Sequence, residues 1–106
     1  MNSGAGTDIG TSDRANVVAT TSRPAIGRGF RLQWEPAQNA HVLLYPEGMV
    51  KLNGSAGEIL KRCDGNQSVA AIIEDLERAF ATSDLTKDVT SFMSFAIEHK
   101  WIELRE

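Results

Sequence analysis

His41-Val-Leu-Leu-Tyr-Pro-Glu-Gly-Met-Val-Lys-Leu-Asn53 reads as two short strands about a tight turn, running straight into a helix. Val42-Leu43-Leu44-Tyr45 is apolar on both faces, which suits a central strand covered on two sides. Pro46 fits the second position of a type I turn, and Gly48 fits a positive-φ position closing the hairpin. Met49-Val50-Lys51-Leu52 is then a further strand. Upstream, Phe30, Leu32 and Trp34 alternate with Arg31, Gln33 and Glu35, the period-two pattern of a half-buried strand. Consecutive strands joined by short loops pair with their neighbours. The expected order is therefore one-two-three, with Met49–Leu52 at an open edge.

Three helices are expected next. The first starts near Asn53 to Ser55, either of which can cap it, carries Ala56, Ile59, Leu60 and Cys63, and ends at Asp64-Gly65-Asn66. The second starts at Ser68, with Val69, Ile72, Ile73, Leu76 and Phe80 forming one apolar stripe. The third starts near Asp84 or Thr86 and carries Val89, Phe92, Met93, Ala96 and Ile97. Phe95 lies outside that stripe and widens the apolar arc to roughly 200°, where one core contact covers about 100–140°. A helix wedged between sheet and helices fits this surplus, and so does a groove wall. Trp101-Ile102-Glu103-Leu104 fits a last short strand or a packed tail.

The chain has 106 residues, which suggests one domain. Residues 1–22 are rich in Gly, Ser and Thr with no aromatic residue, and are expected to form a mobile tail. Arg23-Pro24 marks entry to an ordered domain over 23–106. Gly27-Arg28-Gly29 lacks the strand-to-helix setting of a phosphate loop and reads as a flexible lead-in to the first strand. The N-terminus shows neither a basic region nor an apolar run of signal-peptide type, and no stretch approaches a membrane span. Together with the single cysteine, Cys63, this points to a reducing compartment, the cytoplasm.

Catalytic chemistry finds little support. His41 fits a surface or cross-strand residue, and His99 fits a helix C-terminus, where the dipole favours a cation. With Cys63 they lack the spacing of metal ligands, so no metal and no cofactor is expected. Cys63 lies on an apolar stripe and reads as a buried thiol. Glu74, Asp75 and Glu77 read as a solvated helix face. The net charge is −3 and no three basic residues are consecutive, which argues against a grip on nucleic-acid phosphates. Three strands and three helices could still form a winged helix that binds DNA, but its last helix is apolar where a base reader is polar. An open edge beside an apolar helix also suits an added peptide strand, a structural dimer, or an edge kept short and guarded by Lys51.

The run Arg31-Leu-Gln-Trp-Glu35, Ala37-Gln38, His41 to Gly48, Leu52-Asn53, Glu58-Ile59-Leu60, Cys63-Asp64-Gly65, Ser68-Val69, and Asp88-Val89 with Phe92 resembles the PqqD family, over roughly Arg23 to Leu104. A glycine expected before the last tryptophan is Lys100 here. The resemblance implies an α+β, winged-helix-like domain: a three-stranded antiparallel sheet followed by three helices. It implies a non-catalytic peptide chaperone of pyrroloquinoline quinone biosynthesis, of the recognition-element type for ribosomally made peptides. Its expected partners are the precursor peptide PqqA and the radical S-adenosylmethionine enzyme PqqE, with the protein monomeric or homodimeric. In related domains the leader peptide lies on the third strand and third helix. On this chain that places Met49, Val50, Lys51 and Leu52 at the strand and Asp88, Val89, Phe92, Phe95 and Ala96 on the helix.

Overall fold

The computed structural model describes residues 18–105. Its elements are β1 (Arg23–Ile26), β2 (Arg31–Glu35), a 3₁₀ turn (Pro36–Gln38), β3 (Ala40–Tyr45), β4 (Gly48–Lys51), α1 (Gly54–Leu60), α2 (Val69–Ala79), α3 (Thr86–Glu98) and β5 (Ile102–Arg105). The three-stranded antiparallel sheet has the order β2-β3-β4, and β4 is its edge. The expected α+β arrangement of this sheet followed by three helices is the one observed.

A second, two-stranded sheet joins β1 to β5, from Arg23↔Arg105 to Ile26↔Ile102. The Trp101–Leu104 segment therefore resolves as a strand over Ile102–Arg105, and its partner is the Arg23-Pro24 entry, which carried no strand signal. Gly27 is more than a flexible lead-in. It is buried, its N–H donates to the Trp101 carbonyl across 2.7 Å, and a Cβ there would run into the Lys100 carbonyl. Of the expected tail over residues 1–22, residues 1–17 lie outside the described range. Val18 is buried in the core, and the carbonyls of Thr20 and Ser22 accept from Ala70 and Val69 at the start of α2.

The core lies between the helices and one face of the larger sheet. Leu43 and Leu52 meet Leu60, Ile72, Val89 and Met93 there. Phe30, Leu32 and Trp34 share that face, but only Phe30 and Leu32 pack on the core. Trp34 is 48% exposed. Its indole stands edge-on to His41, its register partner, at 5.0 Å. The His41 ring already fills the space above Gly57 of α1, so the indole lies outside it. His41 is thus a cross-strand residue. The opposite sheet face is not covered as the apolar run suggested: Arg31, Gln33, Met49 and Lys51 are exposed there, with Val42 buried between its register partners Gln33 and Lys51.

Local signals explain the helix starts. The Asn53 side chain accepts from the Ala56 N–H at 2.8 Å, and Ser68 Oγ accepts from Ala71 at 3.0 Å. The start of α3 is capped from outside, where Glu77 Oε2 accepts the Leu85 N–H at 3.0 Å. Two readings change at glycines. Gly65 has φ +83, yet α1 ends earlier, at Leu60. Gly65 instead donates to the Pro24 carbonyl, beside the Ala25↔Asp64 bridge. Gly48 is not at positive φ: it opens β4, and a Cβ there would meet the Tyr45 hydroxyl at ordinary contact, 3.7 Å.

The acidic face of α2 does more than face solvent. Arg62 donates to Asp75 Oδ2 at 2.6 Å and to Glu58 Oε1 at 2.8 Å, tying the exit of α1 to α2. Hydrogen bonding to Arg62 holds both carboxyls below their ordinary range.

Candidate functional site

The edge position of β4 and the register fix which main-chain groups face outward. The Leu52 N–H donates to the His41 carbonyl across 3.0 Å. In an antiparallel ladder, hydrogen-bonded and non-bonded pairs alternate. Counting back from Leu52↔His41, Val50↔Leu43 is a bonded pair, whereas Lys51↔Val42 and Met49↔Leu44 are not. Met49 and Lys51 therefore turn their N–H and C=O groups to the open side, and Val50 spends its own on β3. The side chains alternate the other way: Val50 points to the helix face and packs half-buried on the core, while Met49, 52% exposed, and Lys51 lie on the outer face.

The helix residues divide in a similar manner. Val89 and Ala96 are buried in the core, as is Leu52 on the strand side, so none of these three presents an open surface along its full side chain. Asp88 and Phe95 are exposed and Phe92 is half-buried. With His99 they fall within an arc of about 60° on α3. This is one flank of the helix, and it explains the apolar surplus: the wide arc is a buried stripe plus an aromatic border.

Each end of that border joins a different neighbourhood. At the C-terminal end, the Phe95 ring lies 4.1 Å from His99 and 5.3 Å from Trp101, with Phe92 6.4 Å from Trp101. At the N-terminal end, Asp88 and Val89 line a groove of about 490 Å³ where the three helices meet. Gly54, Ser55 and Glu58 of α1 form its opposite wall. Leu76, Phe80, Thr82 and Leu85, from α2 and the following loop, complete it with Ile59 of α1. Phe80 departs from its expected core position. It sits at the C-cap of α2, one turn beyond Leu76, and is 54% exposed on the groove.

Sequence reasoning missed Phe80 and Leu85 as groove walls and His99 and Trp101 as ring partners of Phe95. Phe80 stands just before the Ala81-Thr82-Ser83 break, where a stripe leaves the core. His99 is four residues after Phe95, the spacing at which helix side chains meet.

The lone thiol stands apart. Cys63 Sγ donates to the Ile59 carbonyl at 3.3 Å, and burial, with the nearby Asp64 charge, pushes its pKa up to about 12. Among the described residues no three His, Cys, Asp or Glu side chains gather as metal ligands would, and no helix is long and apolar enough to cross a membrane.

The fold has a close counterpart. The solution NMR structure of the PqqD truncation of Methylobacterium extorquens PqqCD, described as a functional and stand-alone RiPP recognition element, superposes with a TM-score of 0.69. It is 25% identical, and the match covers 85% of this chain and 98% of that one. The class is thus a small winged-helix-like recognition-element fold. The family profile "Coenzyme PQQ synthesis protein D (PqqD)" matches residues 40–102. A PqqA binding protein of Azotobacter vinelandii is 58% identical over 82 residues, 76% of this chain and 89% of its own. One from Stutzerimonas stutzeri is 49% identical over 89 residues, 83% of this chain and 97% of its own. This chain belongs to the PqqD family of coenzyme PQQ synthesis proteins.

Proposed function

We propose that this protein is a peptide chaperone that receives the precursor peptide PqqA as an added strand on β4 and hands it to the radical S-adenosylmethionine enzyme PqqE. The observation that carries the reading is the edge itself: Met49 and Lys51 turn their main-chain groups outward, with no strand of the sheet beyond β4. Added strands draw affinity from such groups and specificity from pockets that take alternate side chains. Relatives 49% and 58% identical to this chain over most of their length are PqqA binding proteins, which supports the same guest.

On this reading Met49 and Lys51 supply the ladder. Val50 and the Asp88, Phe92 and Phe95 flank face the guest's inward side chains. Leu52, Val89 and Ala96 act from below, by fixing strand and helix in the core. The protein itself performs no chemistry; it orders a flexible substrate for an enzyme in the cytoplasm.

The test is a backbone chemical-shift map with PqqA titrated in, followed by addition of PqqE. Shifts are expected along Met49–Lys51 and the exposed flank of α3. Shifts confined to the β1–β5 ribbon would overturn the site. An enzyme that modifies PqqA equally well without this protein would remove the presenting role.

A further inference from the structure

We propose that the groove where the three helices meet is a specificity subsite, taking one large apolar side chain of the bound peptide together with a neighbouring Lys or Arg. This deepens the peptide reading above and rests on it.

Position comes first. The groove begins where β4 ends: Leu52 closes the inner ladder, Asn53 caps α1, and Gly54 and Ser55 are already groove wall. A strand laid along Met49–Lys51 and continued past Lys51 arrives at its mouth. Side chains of an added strand alternate between faces, so every second one points to the helix side, where the groove opens.

The lining says what enters. Ile59, Leu76 and Val89 are buried beneath the groove, and Leu85 is half-buried beside them. Phe80 is the one member of the α2 stripe left largely in water, and it borders this groove. An exposed aromatic bordering an apolar recess marks a surface that a partner covers.

Charge complementarity supplies the second half. The ionisable residues lining the groove are Glu58 and Asp88. Glu58 is already held by Arg62 and lies within 3.6 Å of Lys61. The Asp88 side chain has no hydrogen bond or ion pair among the described residues. Lys87 next to it is turned about 100° round the helix. The place of Asp88 in the first turn of α3 is favoured by the helix dipole, but that leaves the carboxylate without a partner. An acidic guest would be repelled here, and a basic one is paired.

The experiment is calorimetric titration of the full chain with synthetic PqqA from the same organism. Phe80→Ser, Asp88→Asn and Lys51→Pro are compared with the parent, each checked for folding by its amide spectrum. Phe80→Ser is expected to weaken binding about tenfold. Asp88→Asn should weaken it about two- to fivefold. That second loss should vanish against a PqqA variant in which one particular Lys or Arg is Gln, the coupling expected of a direct pair. If both groove variants bind like the parent while Lys51→Pro loses affinity, the subsite falls and the edge reading stands. A loss at Phe80 with no coupling partner for Asp88 overturns the basic half. Parent-like binding by all three variants sinks edge and subsite together.

Discussion

Gly57 lies directly beneath the His41 imidazole: a Cβ on Gly57 would stand 2.9 Å from His41 Nδ1 and 3.3 Å from its Cβ. The two residues fit α1 against β3, and the ring that fills the gap also carries Trp34. Replacing Gly by Ala inside a helix ordinarily stabilises it by about 0.5–1 kcal/mol. Here Gly57→Ala is expected to destabilise, because the imidazole must move and Trp34 moves with it. In a His41→Ala background the same substitution should become stabilising. Urea unfolding of the four proteins of this cycle checks the change of sign.

Lys100 adopts φ +68, a left-handed conformation that costs a non-glycine residue roughly 1–2 kcal/mol. Its side chain is exposed. The position links α3 to β5 and is the one where the family likeness leads one to expect glycine. Lys100→Gly should therefore stabilise the domain by about 0.5–1 kcal/mol, after glycine's own entropy is counted. An unchanged or lowered urea midpoint would contradict this.

Neighbouring prolines on β4 should behave oppositely. Val50 is in a bonded pair with Leu43, so Val50→Pro breaks the β3–β4 ladder and should cost about 3 kcal/mol or more of stability. Lys51 turns its N–H outward, so Lys51→Pro should leave stability within about 1 kcal/mol of the parent while weakening PqqA binding at least tenfold. Melting curves and calorimetry on the same two variants separate the effects.

Arg62 makes stability depend on acid. Because its hydrogen bonds lower the folded-state pKa of Glu58 and Asp75, their contribution is fully present above the ordinary carboxylate range near 4. It is lost as pH falls through the lowered values. The parent should lose stability on acidification below about pH 4 more steeply than Arg62→Met. Parallel stability profiles for the two between pH 6 and pH 2.5 would rule this out (both limits are about the range in which carboxylates titrate).

The sheet, the three helices and the open edge were legible in the sequence because each rests on a local pattern: alternation in 30–35, the Pro46-Glu47 turn, and i, i+3, i+4 stripes after Ser68. The β1–β5 ribbon was not, since Arg23 meets Arg105 only through the whole fold and neither segment is long enough to show a period. The direction of the Val50 N–H was also hidden. It depends on the parity of the ladder, which a bond from Leu52 reveals and composition does not. Phe80 and Phe95 were placed on the right faces, but where the core stops along a face is decided by neighbouring elements.

The β1–β5 ribbon brings residues 23 and 105 side by side, in a different sheet from β4. The chain therefore enters β1 and leaves β5 at one ribbon, which is not part of the sheet that holds β4. Fusion to an enzyme through the end of β5 would join the two at a sheet other than the one proposed to receive the peptide. In a fusion, a short flexible linker would hold the guest at an effective concentration of about a millimolar beside the enzyme, without any new contact between the folded parts.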